Sequence, residues 1–214
     1  MPLIEIATVR LRPSFSSNIP AAFDSTWTRA CEGTTKAANG VPFRLYHAVP
    51  PADKELYYLV GGWQKGEDHI AFLSTPEALT LAKSIGEYMS ADIVRHIDGD
   101  IGVFDHSDKG RPKKLRVGVY KVPELEMEEW ESRWKSSHPS PGGAGGWDMS
   151  AEVQHQHKAF RQMGELTNSV SAFGGKDEAG SRTWVWVESG EEDSTMASLQ
   201  NVEPEVFEIE HVLG

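Results

Sequence analysis

The sequence predicts an α+β protein built from two tandem β-α-β-β-α-β units, and three observations carry the prediction. The first hundred residues run strand, helix, strand, strand, helix, strand. The same order starts again at Lys114. Three short patterns then recur in both halves, in the same sequence. This element order is the split βαβ, ferredoxin-like arrangement.

Each element has its own justification. Residues 3–11 (LIEIATVRL) alternate as a strand, and residues 19–33 have helical periodicity ending at Gly33. Residues 41–49 and 55–63 are β-branched and aromatic runs on either side of Pro50-Pro51-Ala52-Asp53, a turn signal. A short helix opens at Glu67 and Asp68, where acidic side chains favour the helix dipole. A longer helix covers residues 76–89, and residues 91–100 close the unit as a strand. In the second half, residues 114–122 read as a strand and 124–136 as a helix. The Gly142–Gly146 run has neither the strand before it nor the helix after it that a phosphate cradle requires, so it is expected to be a flexible loop or lid. A polar helical pattern spans 150–164.

The recurring patterns are these. Phe23 and Trp27 are echoed by Trp130 and Trp134, each pair sharing a helical face at i and i+4. Gly66-Glu67-Asp68 is echoed by Gly190-Glu191-Glu192-Asp193. Val94-Arg95-His96-Ile97 is echoed by Ile209-Glu210-His211-Val212. The predicted boundaries are a first half over 1–105, a linker over 106–113 and a modified second half over 114–214 with an insertion near 136–168. A half of about 100 residues covers one sheet face with helices and leaves the other wet, which makes it marginal alone. Two such faces pressed together remove that cost.

Composition narrows the functional classes. A net charge of -11 repels phosphate backbones and anionic bilayers, so neither nucleic acid nor membrane is an expected partner. The basic cluster from Lys109 to Lys114 reads as a solvated linker. No apolar run approaches a bilayer span, and the N-terminus does not resemble a leader. Cys31, the single cysteine, cannot form an internal disulfide; together these features predict a cytoplasmic protein. His155 and His157 face apart on a helical pattern, and no ligand spacing accompanies them, so no metal is expected.

Leu59-Val60-Gly61-Gly62-Trp63, the run from Glu67 to Glu77 and Val94-Arg95-His96 together resemble the dimeric α/β-barrel superfamily, in its antibiotic-biosynthesis-monooxygenase-like and EthD-like branches. Glu129-Trp130 to His138 resembles EthD-like helix endings more weakly. The resemblance implies an intramolecular dimeric α/β barrel with a cavity. It also implies activities ranging from cofactor-free oxygenation of aromatics to haem degradation, polyketide cyclisation and isomerisation. Haem-degrading members carry a ligating His late in the second helix, where this chain has Leu79 to Lys83. Plant cyclising members use a His where this chain has Ser74-Thr75-Pro76-Glu77.

The candidate residues follow from strand alternation. His96 lies on a strand with polar residues on both faces, and its titration near neutrality suits proton transfer. Arg44 and Tyr46 share one face of their strand and are able to stabilise an oxyanion. Phe43, Leu45 and His47 share the other face, and Tyr57 and Tyr58 point to opposite sides. The expected catalytic set is His96, Tyr46 and Arg44, with Trp63, Tyr58, His47 and Phe72 around the substrate. His69 and Glu77 are read as residues serving a first helical turn. The expected function is a cofactor-independent enzyme acting on a polyketide-like or aromatic small molecule by cyclisation, isomerisation or oxygenation. It is expected as a monomer or weak homodimer. The alternative is a non-catalytic, ligand-sequestering or stress-associated barrel.

Overall fold

The computed structural model describes residues 2–15, 20–49, 55–103, 114–137, 143–149, 179–189 and 205–213. The first half contains β1 (Leu3–Leu11), α1 (Ala22–Ala37), β2 (Arg44–Ala48), β3 (Leu56–Trp63), α2 (Gly66–Leu73), α3 (Pro76–Gly86) and β4 (Met89–Asp98). The second contains β5 (Lys114–Pro123), α4 (Met127–Ser137), β6 (Gly143–Trp147), β7 (Ser181–Ser189) and β8 (Glu205–Leu213). The eight strands form one sheet in the order β4-β1-β3-β2-β8-β5-β7-β6. The first four positions and the last four repeat one relative order, so the expected α+β, ferredoxin-like architecture is present in both halves.

The halves meet along β2 and β8, which pair antiparallel from Leu45↔Leu213 to Ala48↔Ile209. At the far edges, β4 and β6 do not form a ladder. They are joined by an Ile97↔Asp148 bridge, a Met149 N–H donating to His96 O at 2.8 Å and Arg95 Nη1 on Asp148 Oδ2 at 2.6 Å. A Cβ on Gly146 would lie 2.4 Å from Asp98 O, so glycine is what permits this approach.

Strand alternation divides the core in two. Ile4, Ile6, Tyr58 and Val60 pack with Leu115, Val117, Val185 and Val187, one set from each half. On the other side of the first half, Ala7, Val9, Leu45, Tyr57, Met89 and Val94 pack under Phe23, Trp27 and Cys31 of α1. At about 25 cal/mol per Å2, each fully buried large side chain contributes on the order of 2–3 kcal/mol, which makes the shared inter-half core a main stabilising element.

Several elements differ from their sequence-based expectation. The first helix does not stop at Gly33 but continues to Ala37, ending where Asn39 (φ 56°) and Gly40 (φ 89°) turn left-handed. Gly33 serves contact instead: a Cβ there would lie 3.0 Å from Leu81 of α3. The second long helix begins as expected at Pro76, with Thr75 accepting from Ala78 N, and ends at Gly86. Met89, 1% exposed, starts the following strand. Part of the expected glycine-rich lid, residues 143–146, is instead strand β6, paired with β7 from Gly143↔Glu188 to Trp147↔Trp184. Its glycines make room for aromatic packing, since a Cβ on Gly145 would lie 2.8 Å from the Trp134 ring. The linker at 106–113, the helical pattern at 150–164 with His155 and His157, and the repeat at 190–193 lie outside the described residues. Among the described residues, no helix is long and apolar enough to cross a membrane.

Candidate functional site

Glu5 is the one charged residue in the middle of an apolar strand, and the register determines what surrounds it. On β1 it pairs with His96 of β4 on one side and Gly61 of β3 on the other. Trp63 lies opposite Leu3, one step along the same face. The missing side chain at Gly61 is replaced by the Phe43 ring, which would lie 2.5 Å from a Cβ there. Helix α2 follows β3 after two residues and places His69 over this patch.

Glu5, His69, His96 and Trp63 are 8%, 4%, 3% and 1% exposed. The Trp63 indole N–H donates to Glu5 Oε2 at 2.8 Å. His69 Nε2 and His96 Nε2 each stand 3.4 Å from that same oxygen. Trp63 and His69 stack with centroids 4.3 Å apart and ring planes at 14°. The His69 and His96 rings are 4.9 Å apart. Trp63 also meets Phe72, at 5.7 Å. The His69 ring is thus held between an indole and a second imidazole.

Burial opposes ionisation of Glu5, but His69, His96 and the indole donor outweigh it and lower the carboxyl to about 2. Burial lowers His69 to about 3 despite the neighbouring carboxylate. At neutral pH the arrangement is therefore a buried carboxylate beside an uncharged His69. The Glu5, His69 and His96 donor atoms all lie within 4.8 Å of one another, which makes this the grouping among the described residues able to hold a metal ion.

A cavity of about 150 Å3 opens from this patch, between the helix-covered sheet face and helices α1 and α3. Glu5, His69, Trp63 and Phe72 form one end of it. The rest is almost wholly apolar, with Ala7, Val9, Trp27, Leu59 and Met89 among its walls. Ala30, Ala78 and Ala82 also line it; these small residues on the facing helices are the reason space remains.

The structure brings together some of the sequence-based candidates and separates others. His96 lies behind Glu5 in the cluster, and Trp63 and Phe72 line the cavity. Arg44 and Tyr46 do not join them. They pair with Val60 and Tyr58, on the face that carries Ile4 and Ile6 and looks toward the second half. A single pocket combining His96 with Arg44 and Tyr46 is therefore not what the sheet builds: its two faces put them on opposite sides. Tyr46 instead meets the His211 ring at 5.6 Å, and its phenol is raised by burial, against the opposing effect of Arg44. Tyr58 borders a separate hollow of about 250 Å3 between the halves, with Arg95, Val117 and Val185. His47 is on the helix-covered side but packs against Tyr57 with its ring tilted by 47°, the centroids 4.7 Å apart, rather than lining the cavity.

Glu5 and His69 were not among the sequence-based candidates. Glu5 had a signal, as a lone acid within LIEIATVRL, whereas His69 had only its place in a first helical turn. Nothing in their spacing announces a site, because β1, α2 and β4 contribute one residue each.

No protein-family profile matches the chain, and no curated protein matches its sequence. Solved structures do resemble it. A protein of Fusobacterium nucleatum provisionally named a monooxygenase superposes with a TM-score of 0.58 at 10% identity, over 98% of this chain and 92% of that one. A provisionally named monooxygenase of Lactobacillus acidophilus gives 0.45 at 13% identity, over 88% and 96%. A chlorite dismutase variant of Candidatus Nitrospira defluvii gives 0.43 at 11%, over 88% and 91%. At these identities the likeness concerns the fold alone. Activity has to be argued from the site itself.

Proposed function

We propose that this protein is a small-molecule enzyme that binds an apolar or aromatic substrate beneath α1 and α3 and acts on it at the Glu5–His69–His96 end. The observation that carries this reading is the placement of a buried carboxylate and an imidazole, Glu5 and His69, in the wall of a largely apolar cavity, with the His96 imidazole behind them. A structural core has no need of such a group, because desolvating a carboxylate costs several kcal/mol unless its partners repay it. Perturbed ionisable groups converging on a cavity are a hallmark of catalytic sites.

Cyclisation, isomerisation and oxygenation of phenol-like or enol-like molecules all begin with loss of a proton and growth of negative charge on an oxygen. The polar end is where this cavity can receive that oxygen, while Trp63 and Phe72 offer ring faces to the substrate. Volume narrows the substrate class: a cavity of about 150 Å3 suits a single substituted ring, as dry cavities of roughly this size accept benzene. The working groups here are Glu5, His69 and His96, in place of the expected trio of His96, Tyr46 and Arg44.

Calorimetric titration with p-cresol and with toluene tests the reading. Wild type is expected to bind p-cresol at least tenfold more tightly than toluene. Ala82→Trp, which fills the cavity, is expected to abolish both without lowering the melting temperature much. Equal binding of p-cresol by wild type and Ala82→Trp would refute the assignment of the cavity.

A further inference from the structure

We infer that Glu5, His69 and His96 form a binding site for one divalent transition-metal ion whose open coordination position faces the cavity. The inference deepens the reading above and shares its location. It stands on donor type and geometry. Two imidazole nitrogens and one carboxylate oxygen are a ligand set suited to zinc, cobalt or iron(II), and sites of this composition leave a position for substrate.

Tetrahedral ligands bound at about 2.0–2.1 Å stand roughly 3.3–3.4 Å apart, a consequence of the bond length and the tetrahedral angle. His69 Nε2 and His96 Nε2 are each 3.4 Å from Glu5 Oε2. That separation is at the long end of an imidazole–carboxylate hydrogen bond and also matches the edge of a coordination tetrahedron. All three donor atoms lie within 4.8 Å of one another, so one ion at about 2.0–2.1 Å from each draws the two imidazoles together by side-chain rotation.

The surroundings orient the ligands as a metal site requires. The Trp63 N–H donates to the carboxylate at 2.8 Å, and the Trp63 face stacks on His69, so one residue fixes two ligands. The donors come from β1, α2 and β4, each rigid and buried. Glu5 and His69 border the cavity, so the fourth position points into it. A dication with one carboxylate and two neutral imidazoles carries one net positive charge. An anionic oxygen completes it best: a phenol or enol would bind as its conjugate base, with its proton released to solvent and no change of oxidation state. The metal would hold that oxygen as a Lewis acid, and the apolar walls would hold the ring.

The test is titration of chelator-treated full-length protein with cobalt(II), followed by visible absorption, and with zinc(II), followed by calorimetry. One equivalent is expected to bind, with the d–d band of a four-coordinate cobalt site. His69→Ala and His96→Ala are expected to lose at least 100-fold in affinity and Trp63→Phe about 10- to 100-fold. Ala82→Trp is expected to keep the metal while losing p-cresol. Should a histidine variant fail to fold, paramagnetic shifts of the His69 and His96 ring protons in cobalt-loaded wild type provide the same readout. Wild type that takes up no cobalt or zinc, or that binds it with those ring protons unshifted, overturns the inference; p-cresol binding that persists in that case leaves the cavity reading standing.

Discussion

Single residues are placed by alternation, and alternation explains which chemistry is available where. Glu5 faces the helices because Leu3, Ala7 and Val9 do, and its neighbours Ile4 and Ile6 face the second half. The register of the β1–β4 ladder then puts His96 beside it. Cys31 shows the reverse case, a potentially reactive group made inert. It is 2% exposed on α1, and burial pushes its thiol up to about 12. A thiol held protonated is a poor nucleophile, so native protein at pH 8 is expected to react with a disulfide reagent orders of magnitude more slowly than protein in denaturant. A native rate within tenfold of the denatured one would contradict this burial.

The alternation that placed Arg44, Tyr46, Tyr57 and Tyr58 on their faces was legible in the sequence. What was not legible was which face had the cavity with Glu5 and His69 in its wall. That depends on small residues such as Ala78 and Ala82 lying opposite the sheet, which pattern alone does not reveal. His69 was hidden for a related reason: a histidine in a first helical turn has a sufficient local explanation until α2 is docked.

At the level of elements, most strands and helices could be read from periodicity and capping, and the errors concern glycine. Gly33 resembles a helix stop yet lies inside α1, because its lack of a side chain is used for contact with α3 rather than for a turn. Residues 143–146 resemble a lid yet form β6, whose glycines admit the Trp134 ring and the Asp98 carbonyl. Composition does not distinguish glycine used for flexibility from glycine used for close approach.

Gly118 on β5 is the most demanding instance. A Cβ there would lie 1.8 Å from Trp186 Nε1, and Trp186 is 1% exposed within a cluster of Trp130, Trp134, Trp184 and Tyr120. Gly118→Ala is therefore expected to cost about 1–3 kcal/mol, read as a lower urea midpoint at an unchanged slope. Stability equal to wild type would show that the Trp186 ring has room to shift. The same aromatic cluster, packed under α4, explains why Trp130 and Trp134 echo Phe23 and Trp27 in sequence: each pair fastens the first helix of its half to the sheet.

For the whole molecule, the repeated strand order and the core shared between halves put two like units in one continuous sheet. The β2–β8 ladder and the bridge from β4 to Asp148 link the two halves, and among the described residues Ile4, Ile6, Tyr58 and Val60 share one core with Leu115, Val117, Val185 and Val187. Neither half is then expected to unfold independently. Urea denaturation followed by tryptophan fluorescence and by far-UV circular dichroism is expected to give one coincident transition. Two separated transitions would show that the interface contributes little.

The arrangement also leaves two separate hollows: a helix-covered cavity lined by Glu5 and His69, and an inter-half hollow bordered by Tyr58 and Arg95. A crystal structure with bound p-cresol discriminates between them most directly. The ring is predicted beneath α1 and α3, against Trp63 and Phe72, with its hydroxyl toward Glu5 and His69. A ring found instead between the two halves, beside Tyr58, would contradict the account.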